Sequence, residues 1–163
     1  MTQAVIGLGS NLGDGRVNLQ TAWQRLVKRA GRAVALSSPY LTEPMDMASS
    51  LLFTNAVGLL ETALSPERLL AAMLELELEM GRDRRNGRDR TIDLDLLFYD
   101  ELVMKTAALV LPHPHLARRP FVLVPLAEIL PDRFHPLTGL TVAAMLDKLG
   151  DATGVTKIDW ERS

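Results

Sequence analysis

Asp93 and Asp95 stand two residues apart in the stretch Arg90-Thr-Ile-Asp-Leu-Asp95, which continues as Leu96, Leu97, Phe98 and Tyr99. That apolar run reads as a buried strand, and residues i and i+2 of a strand share a face. Two carboxylates are then aimed side by side into one space, their Cβ atoms about 6–7 Å apart at the usual strand rise. Charges so placed are costly without counter-charge, so cations or basic side chains are expected beside them. The preceding loop, Gly81 to Arg90, holds five arginines. Acids able to bind a divalent metal, next to guanidiniums able to fork onto phosphate oxygens, point to phosphoryl-group chemistry. The plainer alternative is a pair of strand acids neutralised by arginine, with the rest of the loop a solvated patch.

Other residues carry weaker signals. At 100° per residue, Leu69, Leu70, Met73, Leu74, Leu76 and Met80 form one apolar stripe, with Glu75 and Glu79 opposite. Glu77 projects into that stripe, which is an uncommon place for a carboxylate. It is either partly exposed at the helix end or a third acid near Asp93 and Asp95. Gly7-Leu-Gly-Ser-Asn-Leu-Gly13 lacks the Gly-Lys-Ser/Thr ending of a P-loop and misses the G-x-G-x-x-G spacing, so it reads as a structural turn. His113-Pro-His115 has no cysteine and no third spaced ligand to make a zinc site, but either histidine can donate to a phosphate. Asn55 is an amide on the otherwise apolar face of Phe53, Val57 and Leu59. It needs backbone partners or a flat polar ligand.

The elements that must position these residues follow in order. Ala4–Leu8 is a short strand closed by Gly9-Ser-Asn11. Asp14 caps a helix with the stripe Leu19, Ala22, Trp23, Leu26 and Ala30, stopped by Gly31. Ala33–Tyr40 reads as a second strand, Pro44–Ser50 as a loop and Leu52–Glu61 as a third strand. Ser65-Pro66-Glu67 starts a helix that runs to Met80 and stops at Gly81. With the Asp-Leu-Asp strand the order is β-α-β-β-α-β, the pattern of a ferredoxin-like α+β sandwich with one antiparallel sheet and both helices on one face. Further helices are expected around Phe121–Leu130 and Thr141–Leu149.

The whole chain bounds the function. Its 163 residues are expected to form one domain, and 47% hydrophobic with 23% charged is ordinary for a globular protein. A net charge of −2 argues against general nucleic-acid coating. No cysteine is present, which excludes disulfides and thiolate chemistry. No secretion signal or membrane-length apolar run is seen, so a cytoplasmic protein is the expectation; a monomer is expected as well.

Several stretches together resemble the 6-hydroxymethyl-7,8-dihydropterin pyrophosphokinase family: Gly9-Ser-Asn-Leu-Gly13, Ser37–Thr42, Phe53-Thr-Asn55, Glu77–Arg82, Arg90–Leu97, Leu111-Pro-His113 and Arg119-Pro-Phe121. The likeness spans about residues 3–150. It implies transfer of pyrophosphate from ATP to a pterin hydroxymethyl group, with release of AMP. It further implies two Mg²⁺ ions on Asp93 and Asp95, with Arg82 and Arg90 steadying the transferring group. Glu77, Arg84, His113 and Arg119 are implied on the ATP side. Asn55 would bond the pterin edge, Phe53 and Phe121 would pack on its ring, and Thr42, Pro44 and Met45 would line that pocket. Two departures stand out. Gly87-Arg88-Asp89 replaces the Trp-Gly-Pro that many members carry before the final loop arginine, and Pro114 replaces a frequent aromatic. A tryptophan lid over the pterin is therefore not expected, and Arg88 is the candidate to take its place.

Two rival readings use the same features. Palm-type nucleotidyl transferases also place two acids on a ferredoxin-like sheet, but their first acid commonly ends the first strand, and Ala4–Gly9 has none. A non-catalytic RNA-binding module would need a stacking aromatic pair on the sheet, and clustered acids would repel phosphate.

Overall fold

The computed structural model describes residues 1–43, 51–81, 85 and 89–161. Its central sheet contains β1 (Thr2–Ser10), β2 (Gly31–Leu36), β3 (Tyr40–Thr42), β4 (Phe53–Thr62), β5 (Asp93–Tyr99) and β8 (Val155–Lys157). The order is β5-β1-β4-β3-β8, with β2 also paired to β4, and every pairing is antiparallel. A separate two-stranded ribbon joins β6 (Met104–Lys105) to β7 (Val110–Leu111). The expected second strand is in fact two. Ser37-Ser38-Pro39 breaks it, since proline brings no N–H to a ladder, and β2 and β3 pair successive parts of β4.

Helix α1 (Gly15–Ala30) starts where the Asp14 carboxylate accepts the Val17 N–H. Helix α2 (Pro66–Glu79) starts on the Ser65 hydroxyl, which accepts from Arg68, with proline in its first turn. Both bury their apolar stripes on one sheet face. Leu19, Trp23, Leu26, Leu69, Met73 and Leu76 pack there against Ile6, Leu60, Leu94 and Leu96. Leu74, counted in the expected stripe, is exposed instead.

The opposite face is covered too. Helices α3 (Pro120–Ile129) and α4 (Val142–Leu149) pack Leu123, Leu126, Val142 and Met145 onto Val5, Val57, Leu59, Leu97 and Phe98. A bulge in the β1–β5 register makes this possible, because Val5 pairs with Phe98 while Ile6 pairs with Leu96. The extra residue leaves both Leu97 and Phe98 on the α3–α4 side. Alternation from Leu97 back along β5 then places Asp95 and Asp93 on that side as well.

Glu128 fastens α3 to the sheet. Its carboxylate accepts from the Tyr40 hydroxyl at 2.5 Å and the Ser38 N–H at 2.9 Å. Burial, reinforced by that bond and by the carboxylate's charge, pushes the Tyr40 phenol up, so it stays a donor.

Candidate active site

Strand register assembles the site. Across β1, Gly9 pairs with Asp93 on one side and Asn55 on the other, and Asn55 pairs in turn with Tyr40. One step away Gly7 lies between Asp95 and Val57, and Thr42 pairs with Phe53. Directly paired residues show the same face, so the aspartates flank a strip of β1 that carries only hydrogen there. A Cβ on Gly9 would stand 2.9 Å from Asn55 Oδ1, and one on Gly7 would stand 3.5 Å from Leu97 Cδ1. The missing side chains open a cavity of about 380 Å³.

Eight of the expected site residues line that cavity together: Thr42, Phe53, Asn55, Arg90, Asp93, Asp95, Arg119 and Phe121. Gly7, Gly9, Glu43 and Arg118 line it too and were not anticipated. The glycines carried a readable signal, two apart on a strand rather than in a turn. Pro44, Met45, Arg82, Arg84 and Arg88 lie outside the described residues.

Cations hold the two acids in place. Arg90 Nη1 is 3.2 Å from Asp93 Oδ1, and Arg119 Nη1 is 4.0 Å from Asp95 Oδ2. Arg119 also lies 5.7 Å above the Phe121 ring, so one guanidinium touches both the acid and the aromatic wall. The Asn55 amide is buried and donates to Thr42 Oγ1 at 2.7 Å, which turns its oxygen over Gly9.

His113 stands 3.8 Å from Asp95 through Nε2. The pair is not ionic at neutral pH. Burial, then the charges of Arg119 and His115, push this imidazole down to about 4 against a smaller opposing pull from Asp93. Its Nδ1 accepts the His115 N–H at 3.2 Å, which assigns the remaining proton to Nε2. His113 is thus a neutral N–H donor beside Asp95.

Glu77 is buried and takes a backbone partner on β5. Its Oε2 accepts the Leu94 N–H at 2.8 Å. Strand β5 ends the sheet order, so this N–H lies on the strand edge away from β1. Glu77 therefore reaches between Asp93 and Asp95 through the chain that carries them. Among the described residues no group of three or more His, Asp or Glu side chains is arranged to hold a metal.

A palm-type arrangement is not supported, because β1, Thr2 to Ser10, contains no acid. The family model for 7,8-dihydro-6-hydroxymethylpterin-pyrophosphokinase matches residues 5–131. The 2-amino-4-hydroxy-6-hydroxymethyldihydropteridine pyrophosphokinase of Methylorubrum extorquens is 41% identical over 98% of this chain and its own full length. The Synechocystis protein of the same name is 39% identical over 93% of this chain and 78% of its own. The solved structure of Plasmodium falciparum HPPK-DHPS with pteroate superposes with a TM-score of 0.74 at 14% identity. That match covers 90% of this chain but only 44% of the larger one, and it supports the fold alone. By family match and near-full-length identity, the chain belongs to the 7,8-dihydro-6-hydroxymethylpterin-pyrophosphokinase family.

Proposed function

We propose that the Asp93–Asp95 face is where this enzyme moves pyrophosphate from ATP to 6-hydroxymethyl-7,8-dihydropterin, for folate synthesis. The hydroxymethyl oxygen attacks the β-phosphorus and the bond to the α,β-bridging oxygen breaks. AMP leaves, the pterin diphosphate forms, and the hydroxyl proton passes to solvent. The observation that carries this reading is the strand register by which two acids, a bare strip of β1 and an oriented amide share one cavity with two phenylalanines.

In that reading the flat pterin enters between Phe53 and Phe121, and the fixed Asn55 amide meets its polar edge. Thr42, by holding that amide, sets which way it faces. Pro44 and Met45 are assigned to pterin contact by the family resemblance alone. The phosphates lie toward Arg119, Arg118 and the His113 N–H, and the family resemblance adds Arg84 to that set. Arg90 and Arg82 steady the transferring group as charge spreads over its oxygens. Glu77 acts through β5, holding the strand segment between the two acids.

The donors suit magnesium. Asp93 and Asp95 are hard oxygen ligands on one face, with side chains 29% and 34% exposed. Mg²⁺ commonly takes one or two carboxylates and completes its shell with phosphate and water, so a full protein cage is not required. Asp93 and Asp95 would hold two such ions, which when bound draw charge from the phosphate oxygens and acidify the attacking hydroxyl. Arg90, Arg118 and Arg119 line the cavity together with Asp93, Asp95 and Glu43. The described lining is thus close to neutral before metal and becomes cationic with it, which favours a polyphosphate.

We take residues 1–163 to act as one domain and as a monomer in the cytoplasm. No helix among the described residues is long and apolar enough to cross a membrane. Sedimentation at micromolar concentration is expected to give a mass near the chain's 18.0 kDa. The decisive assay supplies ATP, Mg²⁺ and the dihydropterin alcohol and measures nucleotide products. AMP should appear in equal amount with pterin diphosphate, whereas ADP, or AMP formed without pterin, refutes the reading.

A further inference from the structure

The turn after β1 makes contacts that closing a turn does not require. Asn11 is buried, at 8% exposure, and uses both ends of its amide on the adjoining residues Asp89 and Arg90. Its Oδ1 accepts the Arg90 N–H at 2.7 Å, and its Nδ2 donates to Asp89 Oδ1 at 2.8 Å. The backbone N–H groups of Asn11 and Leu12 both point to the Arg90 carbonyl, at 3.1 and 3.3 Å. Both backbone polar groups of Arg90 are therefore held by this turn. The turn is itself anchored, because Asn18 of α1 donates to the Leu12 carbonyl at 2.8 Å and to Ser10 Oγ at 3.1 Å. An unbroken set of hydrogen bonds runs from α1 through the turn to Arg90, whose guanidinium then meets Asp93.

We propose that Asn11 is a positioning residue, which sets Arg90 against Asp93 and so fixes where that guanidinium meets the transferring group. This rests on the role given to Arg90 above. The physical ground is that a long side chain can be aimed only as well as its backbone is fixed. An arginine held at one end by its peptide and at the other by a carboxylate loses little more freedom when a phosphate arrives. Asp89 is part of the device, since it takes the amide's donor end and leaves the acceptor end for Arg90.

The donor–acceptor pattern supplies its own test. Asn11→Ala removes both bonds and should lower kcat about tenfold, as expected for one or two lost buried hydrogen bonds, with KM for the pterin changed less than about threefold. Asn11→Asp sets two carboxylates against each other and should do worse than alanine. The pair Asn11→Asp with Asp89→Asn restores one acceptor for Arg90 and one donor–acceptor pair at residue 89. It should recover kcat to within about threefold of wild type, while Asp89→Asn alone should change little. In an Arg90→Ala background, Asn11→Ala should lower kcat no further. Thermal midpoints of all variants show which are folded. Failure of the paired swap to improve on Asn11→Asp overturns the proposal, as does an undiminished Asn11→Ala effect without Arg90. Full turnover by Arg90→Ala would instead overturn the role of Arg90 itself, and this inference with it.

Discussion

Replacing Gly9 by alanine tests whether the bare strip of β1 exists for the ligand. The new Cβ would stand 2.9 Å from Asn55 Oδ1 and 3.7 Å from Phe53 Cδ1. The first distance is about 0.5 Å short of ordinary contact, so the Asn55 amide must move. That amide is buried and held to Thr42 at 2.7 Å, so a shift of this size stretches its bond and turns its oxygen from the cavity. Overpacking costs about 1–3 kcal/mol, offset by about 0.5–1 kcal/mol for removing a glycine from a strand. A net loss of about 1–2 kcal/mol lowers Tm by about 2–8 °C in a chain of this length. Misdirecting one buried amide costs about 1–3 kcal/mol of pterin recognition, roughly a five- to 150-fold weaker Kd.

Two measurements separate these effects. Calorimetry gives Tm, and fluorescence titration with a non-hydrolysable ATP analogue present gives pterin affinity. ATP-analogue binding should change less than about twofold, because the clash is on the Asn55 side of β1 and not at Arg119 or His113. In an Asn55→Ala background the clash partner is gone, so Gly9→Ala should cost almost nothing further in either measurement. A variant that loses the expected Tm yet binds pterin within twofold of wild type would falsify the link between this strip and the pterin.

Three further predictions follow from the same geometry. Asp95→Asn should lower turnover by about two to three orders of magnitude, while Tm stays within a few degrees because its contacts with His113 and Arg119 are long and partly exposed; equal losses of Tm and activity would assign Asp95 to structure. Glu77→Ala leaves the Leu94 N–H without its acceptor and should cost about 2–3 kcal/mol, whereas Glu77→Gln keeps an acceptor and should recover most of that in urea titrations; glutamine as damaging as alanine would show that the charge, not the acceptor, matters. His135 is buried, its Nδ1 accepts the Leu137 and Thr138 N–H groups at 3.2 Å each, and burial pushes it down from its ordinary value of 6.5. The unfolded chain then takes up a proton before the folded one does, so this residue's contribution is present above pH 6.5 and is lost as pH falls. His135→Asn keeps an acceptor for both N–H groups without the titration, and its stability difference between pH 7.5 and 5.5 should be smaller than that of wild type.

What was legible in the chain was whatever a single element determines. The helix starts at Asp14 and Ser65 are local chemistry, and each cap bonds within three residues of itself. The shared face of Asp93 and Asp95 follows from strand period alone and needed no partner. What could not be read depends on register between distant segments. Gly7 and Gly9 are spaced two apart as residues of one strand face, but that face becomes a cavity only where β1 runs on to Ser10 between β4 and β5. Glu77 stands out in the sequence as misplaced on an apolar stripe, yet the backbone N–H it accepts lies 17 residues away on a strand edge. Strand β8 is three residues with little apolar pattern, and only its pairing with β3 gives it a place. Asn11 is the clearest case, because nothing in Gly-Ser-Asn-Leu-Gly indicates a residue 79 positions away. Such a contact becomes visible only when β1 and β5 are laid side by side. The antiparallel pair then brings the end of one strand to the start of the next, where the turn meets Arg90.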